Sequence, residues 1–173
     1  TTLYYQSASG LTNLLTPTIS TLSQAAWTHI VISRVSGTTK IFANGTQVAS
    51  GADSTNYTAT TTYRVGLSSD GAYYVGYISD IRVVKGSGVT SVTVPTAPLT
   101  AITNTSLLLN YTNAGIYDSA MMNDLETVGN AQISTSVKKY GTGSIYLDGT
   151  GDNLTGANTL TLGFGTRSEE HTS

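Results

Sequence analysis

The stretch WTHIVISRVSGTTKIFANGTQVAS, residues 27–50, limits the possible folds more than any other part of the chain. From Trp27 to Val35 the side chains alternate, with Ile30 and Ile32 on one face and Trp27, His29 and Val31 on the other, the period-two signature of a strand. SGTT then turns the chain, KIFA follows as a second strand, and Asn44-Gly45 precedes TQVAS. Asn-Gly tolerates the two positive φ angles of a type I′ turn, so a three-strand antiparallel meander is expected.

The same style continues in YRVGLSSDGAYYVGYISDIRVVKG, residues 63–86: a strand from Tyr63, a turn at Asp70-Gly71, and a long strand from Tyr73 through Val84. Under strict alternation Ile78 and Ile81 would face opposite ways, so a bulge is predicted near Ser79 and Asp80. GSGVTSVTVPTAPLTAITN follows and holds Pro95 and Pro98; proline lacks the N–H a ladder needs, and the segment reads as a linker. SLLLNYTNAG opens a fresh strand at Leu107, and residues 123–166 supply several short strands punctuated by glycine. The nearest helical candidate, DSAMMNDLE, is short and weakened by its Asn and Asp. Eleven Tyr and many Thr and Val, with 18 Gly against 3 Pro, fit short strands joined by tight turns, so the fold class is all-β.

Composition removes several functions. A net charge of -2 and no Lys/Arg cluster argue against a phosphate-tracking nucleic-acid binder. No apolar run approaches the roughly 20 residues of a membrane span, so membrane insertion is not expected. With no cysteine there are neither disulfides nor thiolate metal sites, and stability must come from a core or a bound hard cation.

The pieces WTHIVISR, KIFANGTQVAS and YYVGYISDIRVVKG, then LLLNY, TVGNAQISTS and KKYGTGSIYLDGTGDNL, resemble the laminin G-like family of concanavalin A-type jelly rolls. The resemblance implies an antiparallel β-sandwich. In that family the first three pieces belong to the back of a domain and the last three to its front, so the order here is reversed. The expected organisation is the C-terminal part of one domain at 1–86, a linker at 87–103, and the N-terminal part of a second at 104–166, cut from a tandem array with neighbouring domains as partners. The family's first and last strands lie side by side, so LLLNY should pair with YISDIRVV and close the two halves as a circular permutant does. The heptad RSEEHTS, 167–173, departs from the sparse charge before it; reverse-translated, it resembles the start of a sequencing-library adapter and is expected not to be native.

The chemistry points to binding. Glycosidases need two carboxylates across one scissile bond, and the paired-Glu strand motif of the family's glucanases is absent. Glu126 is the one glutamate before the heptad, and His29 has no evident nucleophile partner, so no enzyme is expected. Asp148 and Asp152 in DGTGDN, with Asp80 in ISDI, are the hard-oxygen candidates; the resemblance implies Ca²⁺, with Asp80 and Asp148 as ligands, while local hydrogen bonding in Gly-rich turns is the competing reading. For sugar binding the candidates are Tyr73 and Tyr74 beside Asp70, with Asn56 and Tyr57 on a second loop. Trp27 matches a family core position and is assigned to packing.

The resulting expectation is a non-catalytic module that binds a glycan or cell-surface polysaccharide. The Thr/Asn/Gly-rich style and the VPTAPLT segment resemble appendage proteins of bacterial viruses, which places it on a virion or in an extracellular adhesin. The alternatives are a structural spacer that binds nothing and an accessory domain of a glycosidase.

Overall fold

The computed structural model describes residues 5–6, 13–15, 26–55, 63–68, 71–113, 115–120, 125–156 and 167–172, the last as backbone. Its strands are β1 (Tyr5–Gln6), β2 (Asn13–Leu15), β3 (His29–Val35), β4 (Thr38–Ala43), β5 (Thr46–Ala52), β6 (Tyr63–Val65), β7 (Val75–Lys85), β8 (Thr105–Leu109), β9 (Leu125–Val128), β10 (Gln132–Ser134), β11 (Ser144–Asp148), β12 (Asn153–Gly156) and β13 (Arg167–Thr172). No helix occurs among the described residues.

The meander forms as its turns dictate. Ser36 and Gly37 link β3 to β4 with φ of 48° and 72°, and Asn44 and Gly45 link β4 to β5 with 47° and 81°. Two positive φ angles match the right-handed twist of the flanking strands, and Asn and Gly adopt them at the least steric cost. Asn44 adds a latch, because its Oδ1 accepts the His29 amide at 2.9 Å. The first strand starts at His29 instead of Trp27, which sits half-buried just before it.

Eight strands form one sheet in the order β10-β11-β7-β13-β3-β4-β5, with β8 also paired to β7; β6-β12-β9 form a second sheet, and β1-β2 a third. All pairings are antiparallel. The expected closure is present: Ile81 pairs with Leu109, Arg82 with Leu108 and Val83 with Leu107. The expected bulge is also present, since the β13 register skips from Ile81 to Ser79 and Asp80 has a φ of 55°. That extra residue restores Ile78 and Ile81 to one face, and both are buried.

One core therefore draws on both halves of the chain. Ile78, Ile81 and Val83 meet Leu107, Leu109, Tyr111, Ile145, Leu147 and Leu154, with Tyr63, Val65 and Leu125 packed against them. Residues of the large sheet thus face residues of the β6-β12-β9 sheet, as in a β-sandwich. Burying each large aliphatic side chain contributes about 1.5–3 kcal/mol, so this shared cluster outweighs any single turn or polar contact.

The segment between β7 and β8 has no strand, yet it is fixed along the large sheet. Ser33 Oγ donates to the Val89 carbonyl and accepts its amide, both at 2.8 Å. The Tyr140 hydroxyl donates to the Pro95 carbonyl, and Leu99 is buried. A proline-containing stretch suits this position because it covers a sheet face without competing for ladder hydrogen bonds.

Candidate functional site

Strand alternation, register and the Gly-rich turn after β11 together build an outward face at one end of the sandwich. The register pairs Val75 with Asp148 and Tyr77 with Tyr146, and paired residues share a face. Ile78, Ile145 and Leu147 point into the core, so Val75, Tyr77, Tyr146 and Asp148 point out. Val75 is 68% exposed.

Gly149 and Gly151 turn the chain from Asp148 to Asp152, with φ of 85° and 81°. A Cβ on Gly149 would collide with Val75 Cγ2, so only glycine lets this turn close on β7. Asp152 is fully buried and organises the corner: its Oδ2 accepts the Asp148 amide at 3.0 Å and its Oδ1 the Asn130 amide at 2.8 Å. Asp148 presents its carboxylate outward, accepting the Thr150 amide at 2.7 Å and Asn130 Nδ2 at 3.1 Å. The Thr150 amide is the main reason its pKa lies below the ordinary carboxylate value; the Asn130 amide adds to it.

The two adjacent tyrosines separate. Tyr73 lies two residues before β7, bridges to Leu67 and is 39% exposed. The hydroxyl end of Tyr74 lies against Gly76, where a Cβ would stand 3.1 Å from Tyr74 Oη. The structure pairs Asp148, a metal candidate in the sequence, with Val75, two residues after Tyr73. Asn56, Tyr57 and Asp70 lie outside the described residues.

Asp80 and Asp148 do not form the calcium cage that the resemblance implies. Asp148 pairs with Val75, and Asp80 lies five residues further along β7, about 16 Å at the rise of a strand. Asp80 is 1% exposed, and its oxygens accept Ser79 Oγ at 2.8 Å, the Leu99 amide at 3.2 Å and Asn110 Nδ2 at 2.8 Å. Calcium wants six to eight oxygens, whereas the groups around this carboxylate include two N–H donors. Among the described residues no three acidic or histidine side chains gather to hold a metal. The residues therefore do not fit the ion at this pair, and Asp80 is a structural latch. His29 is buried at the start of β3.

Three outward residues escaped the sequence reading. Tyr77 and Tyr146 pack with ring centroids 5.1 Å apart, tilted by 39°, and Gln132 continues their row on β10. Their signal was available, since both tyrosines stand out of phase with Ile78, Ile145 and Leu147. A separate groove of about 410 Å³ runs between the sheet and the segment over it, lined by Val31, Arg82, Val84, Val89, Pro95 and Ile102; it contains none of the expected site residues.

The half-buried Tyr77 and Tyr146 beside an outward carboxylate and an amide offer apolar contact and directional hydrogen-bonding groups on one surface. No curated protein matches the chain, and no solved structure does. Residues 2–88 match the laminin G family model described as the concanavalin A-like lectin/glucanases superfamily. With half of its length matched and the antiparallel sheets in place, the chain belongs to the laminin G-like family of the concanavalin A-like lectin/glucanases superfamily.

Proposed function

We propose that the chain is a non-catalytic carbohydrate-binding module whose contact surface is the corner formed by Tyr73, Val75, Asn130 and Asp148. One observation carries this reading: Asp148 and the exposed Val75 occupy the same rung of the β7–β11 ladder, with the exposed Tyr73 two residues before Val75 in the chain. A pyranose has apolar C–H faces and a rim of hydroxyls. Tyrosine and valine suit the faces, while a carboxylate and an amide suit the rim. Family membership agrees with a binding module, and the Thr/Asn/Gly-rich style supports an adhesin on a virion or an extracellular surface as its setting.

A glycan array probed with the whole chain, once with calcium and once with EDTA, tests the reading. Binding of neutral glycans in both conditions, with loss in Asp148→Ala while the protein stays folded, is the expected result. A folded chain silent on the array would favour a structural spacer. Binding that disappears with EDTA would return a metal to the site.

A further inference from the structure

The corner at Asp148 is one end of a longer surface. Along β7 the first outward positions are Val75 and then Tyr77, a step of two residues that advances about 6.6 Å. The Val75 rung carries Asp148 and the Tyr77 rung carries Tyr146 and Gln132. The track crosses from β7 over β11 to β10, about 10 Å at the spacing of neighbouring strands, more than one pyranose ring. It ends at the next rung: the Ser144 hydroxyl donates to the Val137 carbonyl, and Ser134 Oγ accepts the Val137 amide at 3.1 Å, so both serines serve the fold.

We propose that the outward β7–β11 face, from Val75 and Asp148 through the Tyr77–Tyr146 pair to Gln132, binds several consecutive units of a neutral polysaccharide. This rests on the carbohydrate reading above and deepens it from a single-sugar contact to a polymer track. The tilted pair presents two ring surfaces side by side, a wider apolar platform than one tyrosine supplies. Gln132 at the platform's edge brings both a donor and an acceptor for sugar hydroxyls. Asp148 is the one carboxylate or basic group on the Val75 and Tyr77 rungs, so an acidic polymer meets repulsion there and no compensating cation.

Isothermal titration calorimetry with cello-, laminari-, malto- and manno-oligosaccharides of one to six units, and with oligogalacturonates as the acidic control, tests the track. At least one neutral series should gain tenfold or more in affinity between one and four units, and the acidic series should not bind. Tyr77→Thr with Tyr146→Thr, chosen because threonine suits a strand, should abolish that gain and leave the weak short-ligand binding in place. Tyr77→Phe with Tyr146→Phe should preserve the gain. In the unaltered protein, ring NMR signals of Tyr77 and Tyr146 should move with the longer ligands and stay still with the monosaccharide, a readout independent of how the variants fold. Affinity that does not change with length, or ring signals that do not move, overturns the track and leaves the Asp148 corner standing. No binding by any neutral series overturns both.

Discussion

Asn110 Nδ2 stands 2.8 Å from Asp80 Oδ1, and this hydrogen bond ties the residue after β8 to the bulge of β7. The same oxygen accepts the Leu99 amide at 3.2 Å, while Oδ2 accepts Ser79 Oγ at 2.8 Å. One buried carboxylate thus fixes the bulge, the covering segment and the junction between the two halves. Asp80→Ala should lower stability by about 3 kcal/mol, because it leaves buried donors unanswered. Asp80→Asn should lose less, since its amide oxygen still accepts and asparagine tolerates the φ of 55°. Urea unfolding measures both; a loss below about 1 kcal/mol for the alanine variant would remove the latch.

Asp148 and Asp152 sit four residues apart and should respond in opposite ways. Asp152→Ala removes the acceptor of two backbone amides in a fully buried position, and should cost about 2–3 kcal/mol. Asp148→Ala should leave the melting temperature close to that of the parent while binding is lost. The pH profile follows from the sign of its shift. A carboxyl held below its ordinary value is ionised throughout the neutral range, so its contribution to binding and stability is present there. That contribution is lost only as pH falls through its depressed value. Binding that weakened already between pH 7 and 5 would mean that another group controls it.

The legible parts of this fold are those governed by neighbours in sequence. Asn44-Gly45 announces a type I′ hairpin because two positive φ angles are a local demand, and the phase slip between Ile78 and Ile81 announces the bulge. The pairing of LLLNY with YISDIRVV followed from the family resemblance, as periodicity carries no partner information. Asp80 was read as a cation ligand because its donors, the Leu99 amide and the Asn110 amide, are 19 and 30 residues away. Tyr73 and Tyr74 are neighbours in sequence, and their different partners, Leu67 for one and Gly76 for the other, are not legible from adjacency. The Tyr77–Tyr146 pair was hidden because it depends on the register of two strands far apart in the chain.

Two core tyrosines make the fold sensitive to alkali. Burial raises the pKa of Tyr63 to about 12, with the charge of Asp118 adding to it. Burial also raises Tyr111, followed by the charges of Asp80 and Tyr63. The native state then holds protons that the unfolded state releases above pH 10, so stability is full below that value and falls as pH rises toward 12. Tyrosinate absorbance should show most of the eleven tyrosines titrating before a last fraction that ionises only on unfolding. The Tyr111 hydroxyl is buried and has no hydrogen-bond partner among the described residues. Tyr111→Phe should therefore be neutral or stabilising by up to about 1 kcal/mol, whereas Tyr111→Ala should cost about 3–5 kcal/mol.

The backbone of β13 fills the space between β3 and β7, pairing five residues with β3 and six with β7. It is an interior strand, so its removal exposes two rows of unpaired amides and carbonyls at once. Its register places position 169 between Ile32 and Val83 and position 171 between Ile30 and Ile81, neighbours that belong to an apolar face. Deleting 167–173 should abolish the cooperative unfolding transition or lower its midpoint by ten degrees or more, since both edges open beside the core. Calorimetry on the parent and the deletion variant decides the matter, and a deletion variant that melts like the parent would show that β3 and β7 do not need a strand between them.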